Sequence, residues 1–109
     1  MVDGFYLMQL ESVEGTGGGV IVLTKGHVFG GDTGFYYAGK YELQAELLRA
    51  RVTVRKFLPG VVSIFGIEGD YDVELTATVS GSVINGKAVI PGHPEAGLIV
   101  RLTKRSELP

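Results

Sequence analysis

Few residues in this sequence have the types and spacing that chemistry requires, and those few sit in the wrong context. The run Gly34-Phe35-Tyr36-Tyr37-Ala38-Gly39-Lys40 carries the glycine and lysine spacing of a phosphate-binding loop, but position 41 is tyrosine where a magnesium-holding Ser or Thr belongs. Such a loop also opens a helix whose first amides face the phosphate, whereas this aromatic-rich stretch reads as a strand. Gly31-Asp32-Thr33-Gly34 fits the four-residue loop with which KH domains clamp nucleotides, yet no helical pattern flanks it, so it reads as a turn. The two histidines, His27 and His93, lack a ligand partner at i, i+2 or i+4 and read as exposed or edge residues, His93 within the loop Pro91-Gly92-His93-Pro94. No serine occupies a Gly-x-Ser-x-Gly elbow, and Ser63 in Val61-Val62-Ser63-Ile64 has no activating neighbour. Asp70 and Asp72 share one strand face and supply too few oxygens for calcium. Arg49, Arg51 and Arg55 form a basic stripe. It suits an anionic partner or cross-strand pairing with Asp72 and Glu74, and pairing, at about 0.2–1 kcal/mol each, is preferred for a chain of net charge -2. No enzyme, metal site or cofactor is expected.

The elements that carry these residues are strands. Seventeen glycines are spread along the chain, punctuating short runs as turns and bulges do. Tyr71 to Ser80 alternates apolar Tyr71, Val73, Leu75, Ala77 and Val79 with Asp72, Glu74, Thr76, Thr78 and Ser80, the period of a half-buried strand. Similar patterning predicts strands over Gly4 to Val13, Gly19 to Thr24, His27 to Gly30, Phe35 to Glu42, Glu46 to Lys56 and Gly97 to Lys104, with a turn at Lys25-Gly26. Asn85-Gly86 predicts a two-residue hairpin turn between Ser80 to Ile84 and Lys87 to Ile90, because that turn needs positive φ at both central positions. Leu58 to Glu68, apolar around Pro59 and Gly60, is expected to form a short helix or helical turn at one barrel end. The sum is an all-β chain, a small antiparallel up-and-down barrel of about eight strands, closed so that no edge is left bare.

Composition sets the remaining limits. A chain of 109 residues with 45% hydrophobic residues suits one domain over 1–109 with its own core. A net charge of -2 with 20% charged residues argues against nucleic acid. Cysteine is absent, which excludes disulfides and thiolate sites. The opening Met1-Val2-Asp3-Gly4 has no basic region, and no apolar run is long enough to span a membrane, so a cytoplasmic location is expected.

A barrel of this size either fills with side chains or holds one small ligand, and Tyr6, Met8, Tyr37 and Phe65 are candidates to line such a cavity. Apolar residues on both faces of the first strand leave Phe5 and Leu7 pointing outward if Tyr6 and Met8 point inward, which predicts a homodimer contact at Phe5 and Leu7.

Asp3-Gly4-Phe5-Tyr6, Gly17-Gly18-Gly19-Val20-Ile21, Lys25-Gly26, Gly30-Gly31-Asp32 and Tyr37-x-Gly39 resemble, in order and spacing, the GrlR-type negative regulators of type III secretion. The run from Gly86-Lys87-Ala88 through Leu98-x-Val100-x-Leu102-Thr103 is similar to small bacterial relatives of that family. The resemblance implies an eight-stranded, lipocalin-like barrel, a cytoplasmic homodimer that restrains a transcriptional activator by binding it. It places the partner surface at Glu42, Leu43, Gln44, Ala45 and Glu46, where Glu46 keeps the acid of the family's four-residue acidic motif. Two functions follow as expectations. One is a regulatory protein-binding module, and the other is a carrier or sensor of a small apolar ligand.

Overall fold

The computed structural model of the chain describes residues 2–13, 15–63, 67 and 69–109, with Glu95 described by its backbone alone. Eight strands follow one another: β1 (Gly4–Ser12), β2 (Gly15–Thr24), β3 (His27–Gly31), β4 (Phe35–Gln44), β5 (Leu47–Lys56), β6 (Tyr71–Ser80), β7 (Val83–Ile90) and β8 (His93–Ser106). Each is antiparallel to the next, and β8 pairs with β1, so the sheet closes into a barrel. Among the described residues no helix is long and apolar enough to cross a membrane.

Alternation decides which residues enter the core. Tyr6 and Met8 on β1, Ile21 and Leu23 on β2, and Leu48, Ala50 and Val54 on β5 point inward and are buried. The most deeply buried large side chains are Tyr6, Leu23, Leu48 and Ile84. Tyr6, Leu48 and Ile84 lie toward the end of the barrel that holds the β2–β3, β4–β5 and β6–β7 turns. The segment before β1 closes that end. Val2 is buried and accepts the Tyr6 hydroxyl on its carbonyl at 2.5 Å, while Asp3 accepts the Tyr41 hydroxyl at 2.5 Å and the Lys25 amide at 3.1 Å.

Several turns have two residues, as the registers Thr24↔His27, Gln44↔Leu47 and Ser80↔Val83 require. Lys25 and Gly26 both have positive φ, 50° and 82°, the combination that matches the twist of flanking strands.

The structure corrects three expectations of local structure. Asn85-Gly86 is not a hairpin turn; it lies within β7, with Asn85 opposite Thr78 and Gly86 opposite Ala77. The turn falls instead at Gly81-Ser82, where Gly81 has φ 61°. Gly86 is there for closeness, since a Cβ on it would lie 2.3 Å from the Thr76 carbonyl oxygen. Inward-facing Gly30 and Gly39 are the same kind of site, since a Cβ on either would lie 2.1 Å from a neighbouring carbonyl oxygen, and such glycines let a barrel coil tightly. The second correction concerns 58–68, where the described residues contain no helix. Pro59-Gly60 forms a turn with Gly60 at φ 85°, which a right-handed helix cannot accommodate, and 61–63 have no regular secondary structure. This connection is pinned where the Phe57 and Leu58 amides donate to the Gly34 carbonyl at 3.0 and 3.4 Å. His93, expected in a loop, opens β8 opposite Ile90, and a bulge shifts the register to Val89↔Gly97 around Pro94, which has no amide to offer.

Candidate functional site

At the end opposite the N-terminal closure the interior is hollow. A cavity of about 360 Å³ lies there, lined in part by 32–34 of the β3–β4 turn and by 61–63. Its walls are mostly aliphatic, including Met8, Ile21, Val28, Val52, Val54 and Val73. The wall residues come from alternate positions on many strands, so period-2 patterning builds the apolar surface without any contiguous motif.

The polar part of the wall comes from two loops and two strands. Asp32 follows β3, and its side chain closes the turn on itself: Oδ1 accepts the amides of Gly34 and Phe35 at 3.0 Å each, and the Asp32 amide donates to the Phe35 carbonyl at 3.0 Å. Short acidic side chains favour this arrangement because they reach the amides two and three residues on. The Tyr37 hydroxyl, on β4, donates to the other carboxylate oxygen of Asp32. Gly34 is tightly covered, since a Cβ on it would meet Val61 at 2.6 Å. From the other loop comes Ser63, only 7% exposed, whose hydroxyl accepts the Ile67 amide at 3.2 Å and hydrogen-bonds Tyr71 at the start of β6.

Electrostatics keep both phenols neutral. Burial, then the hydrogen bond and charge of Asp32, raise the Tyr37 pKa far above its ordinary value. Burial is also the main cause of the rise at Tyr71. At neutral pH both hydroxyls therefore keep their protons and serve as donors and acceptors, not as bases. Among the described residues no buried side-chain nitrogen or oxygen lacks a partner, so the polar patch is pre-organised.

No family model matches this chain, and no curated protein does.

The residues singled out in the sequence are distributed over three places. Met8 and Tyr37 line the cavity. Tyr6 sits apart from it, at the closed end against Val2, and Phe65 lies outside the described residues. Phe5 and Leu7 face outward on β1, Phe5 half-buried and Leu7 42% exposed. They lie in two cross-strand rows of the outer face, Phe5-Val22-Phe29-Ala38 and Leu7-Val20-Gly31-Tyr36. Glu42, Leu43 and Gln44 end β4, Ala45 and Glu46 form the turn to β5, and all five are exposed. That turn lies at the closed end, away from the cavity, with Ala45 held at φ 56°.

Among the described residues no group of three or more His, Cys, Asp or Glu side chains is arranged to hold a metal. His27 stacks on Phe29 at 6.0 Å on the outer surface. Arg51 lies 3.7 Å from Asp72 and 3.6 Å from Glu74, all well exposed, so these pairs contribute little to stability.

Sequence reasoning missed Asp32, Ser63 and Tyr71 as cavity residues. A signal existed for Asp32: an acid two residues before a glycine marks a self-bonded turn, and Tyr37 five positions on lies on the inward face of the next strand. Ser63 carried none, because its place in the wall depends on a segment without regular secondary structure.

Proposed function

We propose that this protein binds a small, mainly apolar molecule inside its barrel, as a carrier or sensor. The observation that supports this reading is the cavity of about 360 Å³, walled by aliphatic side chains and furnished with one hydrogen-bonded polar patch. Sites for small molecules have this composition and a volume of about 300–1,000 Å³. At ~30 Å³ per water-sized unit, the space suits a ligand of about a dozen non-hydrogen atoms. The experiment is native mass spectrometry of protein purified without detergent or solvent extraction, followed by titration of the extracted protein with 1-naphthol, a neutral fluorophore of that size. A copurifying small-molecule adduct, or saturable one-to-one fluorophore binding lost on filling the cavity with Val54→Phe, supports the reading. A bare chain that also fails to take up the fluorophore sinks it.

A second reading, a protein-binding regulatory module, draws on a different observation. The outer face of β1–β4 exposes Leu7, Phe29 and Tyr36, with Phe57 6.4 Å from Tyr36, and contiguous apolar rows of this kind belong in interfaces. The occupant we favour is a second copy packed about a twofold axis, which would leave the exposed Glu42–Glu46 turn open to a regulatory partner. Sedimentation at micromolar concentration decides it: a dimer dispersed by Phe29→Glu supports this reading, and a monomer of unmutated protein refutes it.

A further inference from the structure

This inference rests on the ligand-binding reading above and gives the ligand a chemical class. Among the described wall residues, Asp32 is the one charged group, and no lysine, arginine or histidine shares the wall with it. The Asp32 side chain lies over the inner face of β2, where inward-facing Gly19 leaves space: a Cβ on that glycine would come within 3.3 Å of the Asp32 Cβ. A carboxylate offers about four lone-pair sites. Three are used, two on Oδ1 by the Gly34 and Phe35 amides and one on Oδ2 by the Tyr37 hydroxyl. Oδ2 therefore keeps an acceptor site beside the aliphatic wall. The Tyr37 oxygen, whose proton is engaged in the hydrogen bond to Asp32, also presents lone pairs. The polar patch as a whole accepts hydrogen bonds and carries negative charge.

We propose that the cavity selects amphiphiles whose polar end donates a hydrogen bond and carries no negative charge, primary alcohols and alkylammonium ions, and that Asp32 is the selecting residue. Such an end satisfies the free acceptor on Oδ2 while its alkyl body fills the aliphatic space. A fatty-acid carboxylate of the same length brings a second negative charge into a site with no cation to offset it, and it has no proton to donate. The wall thus discriminates against carboxylate amphiphiles by charge, not by size.

The test compares three ligands with one alkyl chain: 1-decanol, decylammonium and decanoate, each titrated calorimetrically into the full chain at neutral pH, with naphthalene as a purely apolar control. Decanol and decylammonium are expected to bind, and decanoate to bind on the order of tenfold more weakly or not at all. Asp32→Asn keeps an oxygen for the Gly34 and Phe35 amides, so the turn is preserved, which circular dichroism checks. In that variant decanoate should rise to the affinity of decanol, and decylammonium should lose on the order of tenfold. Decanoate binding as tightly as decanol, a preference unchanged by Asp32→Asn, or naphthalene binding alone each overturns the inference while leaving a ligand-binding barrel intact. Failure of all four compounds removes the ligand-binding reading itself.

Discussion

Replacing Gly86 with alanine separates two explanations for that glycine. In a hairpin turn it would sit at positive φ, and a Cβ would cost about 1–2 kcal/mol of left-handed strain. In the barrel its φ is ordinary for an L-residue, and the cost is steric: the Cβ would lie 2.3 Å from the Thr76 oxygen and 2.5 Å from the Ala77 Cβ. A carbon approaches a carbonyl oxygen comfortably at about 3.3 Å, so β6 and β7 must part by ~1 Å around the Ala77↔Gly86 pair. Weakening two ladder hydrogen bonds costs about 1 kcal/mol each, and overpacking adds about 1–3 kcal/mol. The expected loss is therefore ~3–5 kcal/mol. Gly81→Ala is the internal control, with φ 61° and nothing within 4 Å of the new Cβ, and should cost ~1 kcal/mol. Urea unfolding followed by tyrosine fluorescence measures both, and at an m-value of about 1–3 kcal/mol/M the Gly86→Ala midpoint falls by roughly 1–5 M. If the two variants lie within 1 kcal/mol of each other, the close-approach argument is wrong.

Two further predictions concern pH. Tyr37 and Tyr71 have pKa values raised above the ordinary 10.0 by burial first of all, so their contribution to stability is intact below pH 10 and is lost as pH rises through the folded values. NMR of their ring carbons should show both still protonated when unfolded tyrosine ionises; ionisation near pH 10 in the folded state would contradict the burial described here. At the closed end, the Tyr41 hydroxyl first and the Lys25 amide second hold the Asp3 carboxyl below its ordinary 3.8. That contribution is present above pH 3.8 and disappears as pH falls through the folded value, so Asp3→Asn should be less stable than the unmutated chain at neutral pH, with the gap closing in acid. Parallel stability profiles of the two proteins would remove Asp3 from the account.

The sequence carried much of the fold because its period is local. Tyr71 to Ser80 alternates strictly, and those residues form β6 at the expected boundaries. Glycine was harder to read, since one residue type serves two needs: Gly26 supplies positive φ in a turn, while Gly86 supplies nearness between strands, and only the partner strand distinguishes them. Proline and apolar content around 58–68 were compatible with a helical turn, but Gly60 in the left-handed region breaks it, and 61–63 have no regular secondary structure. The cavity was illegible for another reason. Alternation says which side chains face inward and not whether they meet at the centre, which depends on the width of the barrel and on small inward residues such as Ala50, Ala88 and Gly39. Tyr6 and Tyr37 look alike in the sequence, both inward and aromatic, yet one seals an end and the other holds Asp32.

The pairing of β1 with β8 also governs how the barrel can assemble. Every other ladder joins strands adjacent in sequence, whereas this seam runs from Phe5↔Ser106 to Glu11↔Ile99 and brings together segments separated by almost the whole chain. The loop-closure entropy of that encounter is the largest in the molecule, which puts the seam late in folding and makes the folding rate slow for the chain's size. Folding φ-values near zero for Met8 and Val100, beside higher ones in β4 and β5, are the signature of that order. Because the inward faces of β1 and β8 are part of the cavity wall, a nascent chain has no enclosed site until its last ladder zips, and any ligand can act on folding only by slowing the reopening of a barrel already complete.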